Sequence, residues 1–128
     1  MKIAIPLFHK RISPRFDCAE TLLLAIAEKG EVIDRVELPA AEWTPGKRVD
    51  KLKNLGVDTL ICGGIDEISA RGLIFDGIIS FSWVTGDAED ALQALLRGEL
   101  ASGIMVGPGG SLCGRWRFRG NKGYGDND

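Results

Sequence analysis

The stretch from Val57 to Asp66 constrains the fold more than any other part of the chain. It is a short apolar run followed by two glycines, an isoleucine and an aspartate. Such a run is typical of a buried strand in a parallel sheet, and the aspartate is placed to cap the next helix. Ligands of open α/β sheets bind outside the carboxyl ends of these strands, where glycines allow close backbone approach. We therefore expect Cys62 beside a binding site, with Gly63 and Gly64 as backbone donors.

The composition limits the classes of protein to which the chain can belong. The chain has 128 residues, 45% of them hydrophobic, and a formal charge of -2, which fits one globular core and favours no anionic partner. No apolar run approaches the roughly 18 residues that span a bilayer, and no signal-peptide pattern opens the chain, so we expect a cytoplasmic protein. The cysteines are odd in number and widely spaced, which predicts reduced thiols.

The element order predicted from apolar periodicity and capping residues is β-β-β-α-β-α-β-α. Three strands followed by two β-α units predict a mixed five-stranded sheet with helices on its faces, an α/β fold. Pro6 is expected to end the first strand or to lie beside a bulge. The predicted strands cover residues 2–7, 21–27, 32–38, 57–61 and 77–84, and the helices begin at Pro45, after Asp66 and after Asp87. Residues 28–31 are predicted to turn a hairpin, the strand at 32–38 to lie at a sheet edge, and the strand at 77–84 to be buried.

Residues 99–128 are interpreted as a Gly/Arg-rich C-terminal tail after a domain at residues 1–98. Eight of the seventeen glycines fall within residues 103–128, together with Cys113 and the alternating run Arg115–Arg119. Alternating arginine and aromatic residues are typical of proteins that stack single-stranded bases. An alternative function is therefore a nucleic-acid or protein interaction module that uses the tail, although the near-neutral net charge makes nucleic acid the weaker partner.

Four segments, in this order and spacing, form a specific set: Met1–Pro6, Ile12–Glu20, Leu55–Ile65 and Thr85–Ala91. Together they resemble the family of small proteins, NifX/NafY-like, that bind iron-molybdenum cofactor or its precursors during nitrogenase maturation. The resemblance covers about residues 1–98. It implies a ribonuclease-H-like fold and the carriage of an iron-molybdenum or related metal-sulfur cluster, without catalysis. Members of this family also occur outside nitrogen fixation, so a related metal-sulfur role is equally implied.

The first loop departs from the family pattern. That loop often reads Ser-x-His-Phe-Gly, whereas here Arg15 stands at the histidine position and Asp17 at the glycine position. A guanidinium group cannot coordinate a metal, but it can pair with the negative charge of a cluster or an oxyanion. We expect Arg15 to act as an electrostatic clamp.

Soft thiolates suit metal-sulfur centres. The loop after the first strand and the turn after Ile61 leave the same edge of the predicted sheet, so Cys18 and Cys62 are the expected ligands, with Cys113 and His9 as optional ones. The alternatives stay open: Cys62 as a packing thiol, Cys113 as a tail thiol, His9 as a surface residue, and the two glycines as a tight turn. The predicted protein is a monomeric or weakly dimeric metallochaperone that serves cluster-assembly or acceptor proteins.

Enzyme classes find little support. A two-metal nuclease needs clustered carboxylates, and the first predicted strand carries none. A phosphate-binding loop of the Gly-Lys-Ser/Thr type is also missing from the sequence.

Overall fold

The computed structural model describes residues 1–115. These residues form eight strands, three α-helices and a short 3₁₀ turn at Pro108–Gly110. In chain order the elements are β1 (Lys2–Phe8), β2 (Arg11–Ile12), β3 (Thr21–Glu28), β4 (Glu31–Pro39), α1 (Pro45–Asn54), β5 (Thr59–Ile61), α2 (Glu67–Phe75), β6 (Ile79–Phe81), α3 (Ala88–Leu96), β7 (Ile104–Val106) and β8 (Leu112–Arg115).

The main sheet has the strand order β4-β3-β1-β5-β6, with β2 folded back onto β1. β1 is antiparallel to β3 and parallel to β5, so the sheet is mixed, as predicted. Side chains of α3 pack on one face of the sheet, and those of α1 and α2 pack on the other. The predicted α/β architecture with helices on both faces is confirmed, and the ribonuclease-H-like classification stays a prediction.

Capping residues begin the helices where the sequence predicts. Thr44 precedes α1 and Pro45 is its first residue, although the Thr44 side chain makes no capping hydrogen bond. The Asp66 carboxylate accepts from the Ser69 amide at 2.9 Å, and the Asp87 carboxylate accepts from the Glu89 amide at 2.9 Å. These bonds satisfy amides that the first turn of a helix otherwise leaves without partners.

The residues of the turn explain the β3–β4 hairpin. Lys29 and Gly30 connect the strands, and both have positive φ, at 55° and 79°. Two residues with positive φ match the right-handed twist of a hairpin. The connection makes β4 an edge strand whose residues are mostly exposed, in agreement with the predicted sheet edge.

Two local predictions are wrong. Pro6 does not end β1, because the parallel pairing with β5 stops at Ala4 and the Pro6 carbonyl accepts from the Ser13 amide at 2.8 Å. No ladder bond to β5 is therefore lost by the missing N–H of proline. The run at residues 77–84 is not a buried strand: β6 has three residues at the sheet edge, and Ile79 is 62% exposed.

The predicted tail begins as a packed hairpin. β7 and β8 pair antiparallel, and Leu100, Ile104 and Val106 belong to the core on the α3 side. The turn between the strands is fastened to α3, because Arg97 donates to the Gly110 carbonyl at 2.7 Å. Core packing thus continues past residue 98. The arginine and aromatic residues from Trp116 onward, on which the interaction-module alternative depends, lie outside the described residues.

Candidate functional site

An open cleft of about 540 Å³ lies at the end of β1, beside the loop that leads to β3. Its apolar part comes from residues of β1 and of that loop. The residues with titratable side chains that line it are His9, Arg15, Cys18, Glu20 and Glu37. Three of these were predicted as site residues from the sequence. The structure thus brings His9, Arg15 and Cys18 to one concave surface.

The loop is held against the end of β5 by the two glycines. The Gly64 amide donates to the Pro14 carbonyl at 2.7 Å, and the Phe16 amide donates to the Gly64 carbonyl at 2.8 Å. A Cβ at Gly63 would lie 2.7 Å from the Pro14 oxygen and still closer to the Ser13 oxygen. The close backbone approach that the sequence predicted is therefore real. The backbone that the glycines approach belongs to the neighbouring loop, so the Gly64 amide is not a free donor for a ligand.

Two buried residues also anchor the loop, on the side of the sheet where α1 and α2 pack. The Phe16 side chain is 2% exposed and packs in the core on the α1 and α2 side. The Arg48 guanidinium, 6% exposed, donates to the carbonyl of Ala19 at 2.9 Å and to that of Phe16 at 3.3 Å. Sequence reasoning missed Arg48. The available signal was its spacing, because it lies four residues before Leu52 and so shares the inner face of α1.

Arg15, Asp17 and Cys18 form a small polar cluster at the rim of the cleft. Arg15 and Asp17 make a two-pronged ion pair with N···O distances of 2.8 and 3.1 Å. The hydrogen bond from Arg15 holds the pKa of Asp17 below its ordinary value, and the pKa of Arg15 is raised by the same bond. The Cys18 thiol is exposed and donates to Asp17 Oδ1 at 3.3 Å. The thiol is therefore accessible, with a charged pair beside it.

His9 lies at the mouth of the cleft in the turn between β1 and β2. Its φ of 58° places it in the left-handed region, and its ring packs edge-on against Phe8 with centroids 4.5 Å apart. The imidazole is exposed. It lines the same cleft as Cys18 and could therefore contribute a nitrogen donor to a bound species.

Cys62 lies elsewhere. Its side chain is 0% exposed among apolar residues of the core, and this burial raises the pKa of the thiol to about 12. Only the thiolate coordinates a metal, and this thiol stays protonated at neutral pH. The structure does not bring Cys62 to the cleft surface beside Cys18, and we leave it out of the ligand set that follows. The packing role, which the sequence left open, fits this placement.

The other predicted ligand, Cys113, belongs to β8, but its side chain lies outside what the structure describes. Within residues 1–112, whose side chains the structure describes, no group of three or more histidine, cysteine, aspartate or glutamate side chains is arranged to hold a metal ion. Across the same residues, no helix is long and apolar enough to cross a bilayer. The cleft thus offers few donors rather than a closed coordination shell.

Comparisons with known proteins agree with this fold. The family model described as dinitrogenase iron-molybdenum cofactor matches residues 1–98. No curated protein sequence matches the chain.

Solved structures extend the likeness. PH0822 superposes with a TM-score of 0.75 at 20% identity, over 80% of this chain and 94% of that one. A candidate dinitrogenase from Methanocaldococcus jannaschii has a TM-score of 0.67 at 22% identity, over 79% and 92% of the two chains. A candidate NifB protein from Thermotoga has a TM-score of 0.60 at 27% identity, over 79% and 91%.

Proposed function

Because the chain belongs to the dinitrogenase iron-molybdenum cofactor family, we propose that it binds and carries an iron-molybdenum or related metal-sulfur cluster. The cluster is cargo, to be passed to a cluster-assembly or acceptor protein, and the role requires no catalytic step. The proposed setting is the cytoplasm, where thiols stay reduced. The proposed carrier acts as a monomer or weak dimer.

The observation that carries this proposal is the exposed thiol of Cys18 in an open cleft. A cysteine thiolate is the ligand that metal-sulfur clusters prefer. The cleft, at about 540 Å³, falls within the roughly 300–1,000 Å³ of ordinary ligand pockets. Space and donor chemistry therefore both suit a compact inorganic cargo.

The charged residues of the cleft fit reversible binding. Arg15 is exposed and can pair with a negatively charged cluster if it shares or leaves its ion pair with Asp17. Glu20 and Glu37 also line the cleft and oppose an anionic cargo. With Cys18 as the principal ligand and His9 as a possible second, the cleft would hold a cluster without enclosing it. A carrier has to release what it binds, so incomplete coordination agrees with the role.

Anaerobic reconstitution tests the proposal. The protein is incubated with ferrous iron and sulfide, with and without molybdate, and bound metal and the visible absorption spectrum are recorded after desalting. We expect Cys18→Ser to lose most of the bound metal, whereas Cys113→Ser tests the tail thiol separately. Cys62→Ser is the matched control, since the same atom changes at a buried position, and metal content per folded molecule should be retained. Equal metal content in Cys18→Ser and the unmodified protein would contradict the ligand assignment.

A further inference from the structure

Arg48 is buried, and its guanidinium has no carboxylate partner among the residues that the structure describes. None of the ion pairs formed within residues 1–115 includes it. Its hydrogen bonds all go to backbone carbonyls: Phe16 and Ala19 at 3.3 and 2.9 Å, Ala40 at 3.0 Å and Trp43 at 3.2 Å. A buried charge is costly unless hydrogen bonds satisfy it, and here backbone carbonyls from several segments of the chain supply those bonds.

Two of these acceptors bracket the cleft cysteine. The carbonyls of Phe16 and Ala19 lie on either side of Asp17 and Cys18 in the chain, and one guanidinium nitrogen, Nη1, binds both. The second terminal nitrogen ties the same loop to Ala40, after β4. One rigid, planar group thus fixes the backbone on both sides of the exposed thiol relative to α1 and to the end of β4.

Electrostatics point to the same loop. Burial lowers the pKa of Arg48, whereas Cys18 and Asp17 act in the opposite direction because negative charge on either favours the protonated guanidinium. Arginine keeps its proton under ordinary conditions, so a fixed positive charge lies beneath the loop.

We propose that Arg48 is the positioning residue of the cleft: it holds the Phe16–Ala19 loop so that the Cys18 thiol is presented at a fixed place over a buried positive charge. The assignment rests on the proposed function, in which Cys18 is the cluster ligand. Lysine cannot replace this arrangement, since a single ammonium group cannot reach four carbonyls spread over several backbone segments. Arg48 contacts no cargo itself; it acts through the loop.

The test uses the thiol itself as the reporter. In a Cys113→Ser background, a thiol-specific nitroxide spin label attaches to exposed Cys18, while buried Cys62 stays unlabelled. Electron paramagnetic resonance then reports the mobility of the label. Hydrogen exchange of the peptide covering residues 16–20 is measured on the unlabelled protein. We expect Arg48→Lys and Arg48→Met to add a mobile spectral component. Loop exchange should rise about tenfold, the factor expected when a charge-assisted hydrogen bond is lost.

Two controls separate positioning from general stability. Lys47→Met removes an exposed positive charge from the same helix, and a second variant removes a buried apolar side chain away from the loop. Leu92→Ala is this stability control, because Leu92 is fully buried on the other face of the sheet, whereas Leu52 shares its core cluster with the anchor Phe16. Lys47→Met and Leu92→Ala should leave the label spectrum unchanged under native conditions, although Leu92→Ala lowers stability. Arg48→Lys keeps the charge and most of the stem, so it is the decisive variant if Arg48→Met does not fold.

An unchanged label spectrum and unchanged loop exchange in Arg48→Lys would overturn the proposal. So would an equal mobile component in Leu92→Ala, because the effect would then reflect lost stability alone. No cluster is added in these measurements. A negative result in these measurements would therefore not count against cluster binding. Cluster binding is tested separately by reconstitution of Cys18→Ser.

Discussion

Gly63→Ala tests how the fold builds the cleft. The glycine has no unusual backbone conformation that alanine would resist, but the space for a Cβ is already occupied by the backbone oxygens of Ser13 and Pro14. Backbone atoms held in a loop cannot rotate away as the end of a flexible side chain can. The methyl group must therefore displace the loop that carries Arg15 and Cys18.

The magnitude follows from the contacts that displacement breaks. The loop is joined to Gly64 by two backbone hydrogen bonds of 2.7 and 2.8 Å, each worth about 1 kcal/mol net. Overpacking of a well-filled site costs a further 1–3 kcal/mol or so. We expect Gly63→Ala to lower the free energy of unfolding by about 3–5 kcal/mol.

Urea denaturation followed by circular dichroism measures this loss, and Gly46→Ala is the matched control. Gly46 lies in the first turn of α1, and a Cβ there meets no atom within 4 Å. The same chemical change should therefore stabilise the protein slightly, by up to about 1 kcal/mol, because alanine favours the helix. The two substitutions are expected to differ in sign.

The reasoning would be refuted if the free energy of unfolding of Gly63→Ala lay within about 0.5 kcal/mol of that of the unmodified protein, the ordinary range for surface substitutions. Alkylation of Cys18 in the folded variant adds a second check. A displaced loop should change its alkylation rate, whereas Gly46→Ala should leave the rate unchanged.

Three further predictions concern single side chains. Asp87→Ala should cost about 1 kcal/mol in urea unfolding through the lost cap of α3, and Thr44→Ala should cost clearly less because Thr44 makes no capping bond. Hydrogen bonds from Ser69 lower the pKa of Asp66 in the folded protein. The stability that this carboxylate contributes is therefore present above the ordinary pKa of 3.8 and is lost as pH falls through the lower folded pKa. Asp66→Asn should flatten this dependence of stability on acid pH. Cys62→Ser should lower the free energy of unfolding by about 1–3 kcal/mol, because it buries a hydroxyl group in an apolar site. Brief iodoacetamide treatment of the native protein should modify Cys18 and leave Cys62 unmodified, as measured by mass spectrometry. Equal modification of both thiols would contradict the placement of Cys62.

The elements that the sequence predicted well depend on local chemistry. Asp66 and Asp87 begin helices because a short carboxylate can satisfy amides a few residues further along the chain. Lys29 and Gly30 turn a hairpin because their backbone conformation matches strand twist. The family resemblance over residues 1–98 likewise depends on local segments in a fixed order, and the matching family model confirms it.

The sequence alone thus determined the mixed α/β sheet, the helix starts, the family and the order of eight elements, but it missed β2, β7 and β8. Only the tertiary structure decided which of two similar cysteines is accessible, because burial depends on how distant segments pack rather than on a residue's neighbours in the chain. It set Cys62 in the core and Cys18 at the cleft. It also gave Gly63 and Arg48 their roles, since both act on a loop some thirty to fifty residues away in the chain. A local pattern can place Arg48 on the inner face of α1 and the glycines at a close contact, but it does not identify the distant loop that they meet.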